Sequence, residues 1–177
     1  MRARRPAIAV AAALAAILAI AGLVVILAAH DSSTVHHPSG PGIREPDQGA
    51  RHVRAPAAGF HYASDPPTSG PHVPIVPRAE DGQLSTDQLL EGLELGDVVI
   101  RYGDPTARAA LVALAQRAAG RFSRALSASG QAVILDRRPG WPGITAVAWR
   151  RLLRASSPAD TRLPAFVEAW LGRGATR

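Results

Sequence analysis

Cysteine is absent from the 177-residue chain, and so is lysine. Without cysteine there can be no disulfide, thiolate nucleophile, cysteine-type zinc site or lipid-modified cysteine anchor. Without lysine, all 20 basic residues are Arg. Together with the abundance of Ala, Gly and Pro, this reads as GC-rich coding rather than as chemistry. Aromatic residues make up only 5%, and none interleaves with the Arg residues as base stacking requires, so no nucleic-acid partner is expected. No Gly-rich phosphate loop, serine elbow or HExxH zinc motif occurs, and no nucleophile–base pair stands out. The chain is therefore not read as an enzyme.

Long apolar runs are also missing, with one exception. Ala7 to Ala29 has no charged or strongly polar side chain. As a helix it would cover about 34 Å, against roughly 30 Å of bilayer hydrocarbon. Arg2, Arg4 and Arg5 precede it and Asp31, Ser32 and Ser33 follow. The positive flank is expected to stay in the cytoplasm. The expected organisation is a cytoplasmic tail at 1–6, a transmembrane helix at 7–29 and a flexible linker at 30–48. An extracytoplasmic soluble domain at 49–177 would follow. The chain would then be a single-pass plasma-membrane protein with the bilayer as its partner. A cleaved signal peptide is the rival reading, but its apolar region is normally only about 7–15 residues.

The formal charge of +6 is unevenly spread. Asp31 to Ile100 holds four Arg and ten acids, and Arg101 to Arg177 holds 13 Arg and four acids. The dispersed Arg residues of the second half read as solvated helix faces.

The soluble region reads as α+β, a small mixed sheet in β-α-β-β-α order after a Pro-rich irregular lead. Ser85 and Gln88 have capping-box spacing, and Gly96 is a stop, which predicts a helix over Thr86–Leu95. Val98–Tyr102 is rich in β-formers. Asp104-Pro105 starts a helix expected to run to about Leu126, with Leu111, Leu114, Ala115, Ala118 and Phe122 inward and Arg117, Arg121 and Arg124 outward. Strands are expected at Ala132–Leu135 and Ile144–Trp149, paired as an antiparallel hairpin, and a last helix at Leu163–Gly172. The first two strands, joined by the long helix, should be parallel.

All six His residues lie between His30 and His72. His30, His36 and His37 fall in the expected linker, whereas His52 and His72 fall in the domain and can serve as metal ligands. Glu91 and Glu94 lie three apart on the first helix. That spacing suits acid–base work or cation binding, and equally suits solvated helix acids. The run Tyr62-Ala-Ser-Asp-Pro-Pro-Thr-Ser-Gly-Pro-His72 fixes an unusual backbone path, able to present His72 or simply to satisfy its own amides.

The Pro66-Pro67-Thr68-Ser69-Gly70-Pro71-His72 loop resembles that of a bacterial family catalogued as domain of unknown function 3105. The resemblance extends through His52, Leu93-Glu94-x-Gly96-x-Val98-Val99-Ile100-x-Tyr102, Arg138-Pro139-Gly140 and Ala148-Trp149. It implies an anchored or exported domain with no assigned activity. Its typical run before the strand, His-x-Leu-Glu-His-Gly, implies up to four imidazoles with the equivalents of His52 and His72, a set suited to a transition metal. Here Glu91 and Leu95 stand at two of those positions, which implies an altered or depleted site. Two functions are therefore expected as alternatives. One is a non-catalytic binding or envelope-associated module. The other is a metal-handling domain built on His52, His72, Glu91 and Glu94.

Overall fold

The computed structural model describes residues 40–56, 59–78 and 82–175. The expected span at 7–29, the tail before it, and His30, His36 and His37 lie outside these residues. Among the described residues no helix is long and apolar enough to cross a membrane.

A five-stranded mixed sheet forms the centre. Its strands are β1 (Ile43–Arg44), β2 (Val98–Tyr102), β3 (Val133–Arg137), β4 (Ile144–Ala148) and β5 (Arg151–Ala155), in the order β1-β5-β4-β2-β3. The helices are α1 (Thr86–Leu95), α2 (Arg108–Ala119), α3 (Arg124–Ala128) and α4 (Arg162–Trp170), with a 3₁₀ turn at Pro105–Ala107 before α2.

β2, β3 and β4 are buried on both faces, and period-two alternation divides their side chains between two cores. Val98, Ile100 and Tyr102 point to one core, with Leu111 and Leu114 of α2 and Phe166, Val167 and Trp170 of α4. Val99, Ile134 and Val147 point to the other, with Leu89 and Leu93 of α1, and Phe122 and Leu126 packed against it. The sheet is thus covered by helices on both sides.

α1 has the expected bounds because its punctuation is strong. Ser85 and Gln88 form the reciprocal capping box, and Gly96 closes the helix at a φ of +122°. β2 and β3 are parallel, as expected from the helical connection. The expected β3–β4 hairpin does not form. β2 lies between those strands, paired parallel to β3 and antiparallel to β4. The hairpin is instead β4–β5, closed by Trp149 and Arg150 with Ala148 opposite Arg151. β5 was not expected, because its turn carries none of the usual Gly or Asn signals; Arg150 itself takes the left-handed φ of +58°.

Two further corrections concern boundaries. The long helix is two, since Gly120 at φ +77° ends α2 and the Ser123 hydroxyl caps α3. Within α2 Leu111, Leu114 and Ala115 are buried as expected, whereas Ala118, on the last turn, is exposed. The linker boundary at 48 is also too late. From Gly40 onward the chain is packed: β1 pairs with β5, and the Pro41 carbonyl accepts a 2.9 Å bond from Trp170 Nε1. Pro and Gly gave this segment no periodicity, and its order comes from pairing with a distant strand.

Candidate metal centre

Three short segments build the site. The Pro66–His72 loop is buried throughout. Its neighbours satisfy its polar groups: Gly70 N–H donates to the Gly49 carbonyl at 2.7 Å, Tyr62 hydroxyl donates to Pro71 at 2.8 Å, and Ser69 hydroxyl donates to Pro46 at 3.1 Å. Gly70 stands at φ +131°, and a Cβ there would lie 2.8 Å from the Tyr62 ring, so only glycine fits. This loop pairs in parallel with the strand-like segment at His52. His72 N–H donates to Arg51, and Val53 N–H to His72. The pairing sets the two imidazoles 5.2 Å apart, edge to face.

α1 supplies the third side. Asp87, Glu91 and Glu94, at i, i+4 and i+7, share a face and are all buried. Asp87 accepts from Val73 N–H at 2.9 Å and so clamps the helix to the loop. Glu91 and Glu94 meet the imidazoles. His72 Nε2 lies 3.3 Å from Oε2 of each, and His52 Nε2 lies 3.1 Å from Glu94 and 3.6 Å from Glu91. All four sequence-selected residues converge, with one donor atom from each inside a 4.8 Å group. Glu91 and Glu94 are therefore buried cluster members rather than solvated helix acids.

The protonation pattern of His72 follows from its partners. Its Nδ1 lies 2.9 Å from the Gly70 carbonyl, which can only accept. Nδ1 therefore carries a hydrogen, and Nε2 faces the carboxylates. His72 is fully buried, whereas the His52 side chain is 42% exposed, so the cluster opens to solvent on the His52 side. Two buried carboxylates facing one point call for positive charge there, whether a proton on imidazole or a cation.

His61 stands apart; its backbone carbonyl accepts from Gln48. Sequence reasoning missed Arg150. It donates its N–H to Thr68, accepts from Glu45 N–H, and pairs with Asp47 at 2.9 Å, tying the loop to the N-terminal segment. It also missed Asp136, wholly buried between Arg101 and Arg138. The signal available for both was only an unremarkable charge in or beside a strand.

The fold and this cluster define an α+β domain with an internal two-histidine, two-glutamate centre. The chain belongs to the family described as protein of unknown function DUF3105, whose model matches residues 52–176. Comparison with curated proteins and with solved structures gave no match.

Proposed function

We propose that the domain binds a divalent transition metal, zinc foremost, through His52, His72, Glu91 and Glu94. The observation that carries this reading is the donor spacing. A tetrahedral ion with bonds near 2.0–2.1 Å needs donors separated by about 3.3 Å. The four imidazole–carboxylate separations are 3.1, 3.3, 3.3 and 3.6 Å. Two imidazoles and two carboxylates form a donor set suited to zinc, and the charge of the ion balances the two acids. The Gly70 carbonyl on Nδ1 orients His72 as a metal-bound imidazole usually is. Glu94 makes up the donor count that Leu95 cannot supply. The exposed His52 edge leaves room for exchange of the ion or for one small external ligand.

The metal domain would be held outside the cytoplasm by a bilayer span over residues 7–29, consistent with the Arg2, Arg4 and Arg5 flank. Its role would be metal handling or metal-stabilised binding at the cell envelope, without catalysis of its own.

The test is elemental analysis of the full-length chain purified without chelator, followed by a zinc titration. Stoichiometric metal with a Kd below about 1 μM, lost in His72→Ala and in Glu94→Ala, is expected. A wild-type chain that is metal-free and shows no saturable zinc binding up to about 100 μM would overturn the proposal. The cluster would then be an imidazolium–carboxylate cross-link, and His72→Ala would alter stability alone.

A further inference from the structure

A second polar site lies at the other end of α1. A cleft of about 360 Å³ is lined by Asp65, Thr86, Arg101, Arg138 and Trp141, among others. Arg101 is in β2, near its C-terminal end, and Arg138 directly follows β3. The cleft therefore sits where the two parallel strands end, and Thr86 brings the N-terminal end of α1 to it. Open α/β sheets commonly receive ligands at that edge.

Asp136 arranges the cations. It is wholly buried; its Oδ2 accepts from Arg101 Nε at 2.7 Å and its Oδ1 from Arg138 Nε at 3.1 Å. Oδ1 also accepts from Leu84 N–H at 3.1 Å, and Arg138 donates a further bond to the Leu84 carbonyl. One carboxylate thus holds two guanidiniums side by side, leaving a surplus positive charge. Arg101, only 7% exposed, is also stacked over the Trp141 ring at 4.9 Å. A buried guanidinium held by its Nε edge and one face is fixed in orientation, and such preorganised forks suit oxyanions.

The remaining carboxylate in the cleft is different. Asp65 Oδ1 is 3.8 Å from Arg101 NH1, beyond a hydrogen bond, and its side chain is 80% exposed. A contact at that distance, with one partner in solvent, is weak and readily displaced. Its carboxylate occupies the position that an incoming anion would take.

We infer that this cleft binds a small molecule through an oxyanion group, phosphate or carboxylate, held between Arg101 and Arg138 in place of Asp65. The site shares the Pro-rich loop and α1 with the metal centre but uses none of its ligands, so either can exist without the other.

The test is calorimetric titration of the full-length chain with inorganic phosphate and, separately, with acetate, at fixed ionic strength. A chelator in the buffer prevents phosphate from being drawn to a metal at the His/Glu cluster. Saturable binding of at least one probe is expected, weakened about tenfold or more in Arg138→Gln. Asp65→Ala should strengthen it severalfold, a gain that misfolding could not produce. A preference for phosphate or for acetate would identify which oxyanion the cleft takes. No saturable binding of either probe by wild type and Asp65→Ala up to about 10 mM would overturn the inference. So would binding unchanged in Arg138→Gln while circular dichroism shows that variant folded.

Discussion

Asp97 stands wholly buried just before β2, where its Oδ2 accepts from the Ser127 hydroxyl at 2.6 Å and its Oδ1 from Ala132 N–H at 2.8 Å. It thereby joins α3 and the start of β3 to the end of α1. Burial raises its pKa from 3.8 to about 7, outweighing the two hydrogen bonds that favour the charged form. The folded state thus holds the proton more tightly than the unfolded chain. Asp97's contribution to stability is complete below about pH 4 and is lost as pH rises to about 7, on the order of 4 kcal/mol over that window. Chemical denaturation at several pH values should therefore show wild type losing stability relative to Asp97→Asn between pH 4 and 7. Parallel profiles for the two proteins would contradict this account. A second residue-scale expectation concerns Gly70. Gly70→Ala should lower stability by about 1–3 kcal/mol, since the new Cβ meets the Tyr62 ring in a backbone conformation that alanine rarely adopts. The same variant should weaken the proposed zinc binding in the titration described above, because the Gly70 carbonyl orients His72.

At the scale of elements, legibility followed local punctuation. α1 and β2 were readable to the residue because a capping box, a terminal glycine and a run of β-formers act within a few positions. The hairpin partner of β4 was not. Whether β3 or β5 lies beside β4 depends on which strand β2 accepts on each edge, and no local signal encodes that. α2 tests the reading of its faces. Leu114 is 5% exposed within the core on one side of the sheet, whereas Arg121 is exposed just beyond the helix end. Leu114→Glu should cost several kcal/mol or abolish folding, because it buries an unpaired carboxylate. Arg121→Glu should stay within about 0.5 kcal/mol of wild type. Thermal unfolding of the two variants compares them directly, and equal melting temperatures would mean that the buried face is misassigned.

For the whole molecule, the order of the chain from Gly40 changes where the domain begins. Residues 40–48 bring β1 to the edge of β5, the Pro41 carbonyl to Trp170, Asp47 to Arg150 and Gln48 N–H to Ser69 Oγ. A fragment of 40–177 should be more stable than one of 49–177 by several kcal/mol, since at least six hydrogen bonds tie 40–48 to the rest of the domain, each contributing about 0.5–1.5 kcal/mol. Indistinguishable urea midpoints would show that the edge strand adds nothing. The proposed topology is tested at the same scale. A reporter active only outside the cytoplasm, fused after Arg177, should work in the full-length chain. Activity from a cytoplasm-only reporter in its place would reverse the orientation.

The sequence by itself determined the caps of α1, the bounds of β2 and the four residues of the cluster, because each rests on local chemistry or on a short distinctive motif. It also narrowed what could ligate a metal, since an absence of cysteine leaves imidazole and carboxylate as the available donor side chains. Whether those donors meet was decided by tertiary structure alone. His52 and His72 come together through a parallel backbone pairing, and Glu94 joins Glu91 because the inner face of α1 is clamped to the loop by Asp87. The Asp136-centred cleft was invisible for the same reason. Arg101 and Asp136 sit in register on neighbouring parallel strands, and a register across 35 residues of intervening chain is fixed by packing on both faces of the sheet rather than by any local preference.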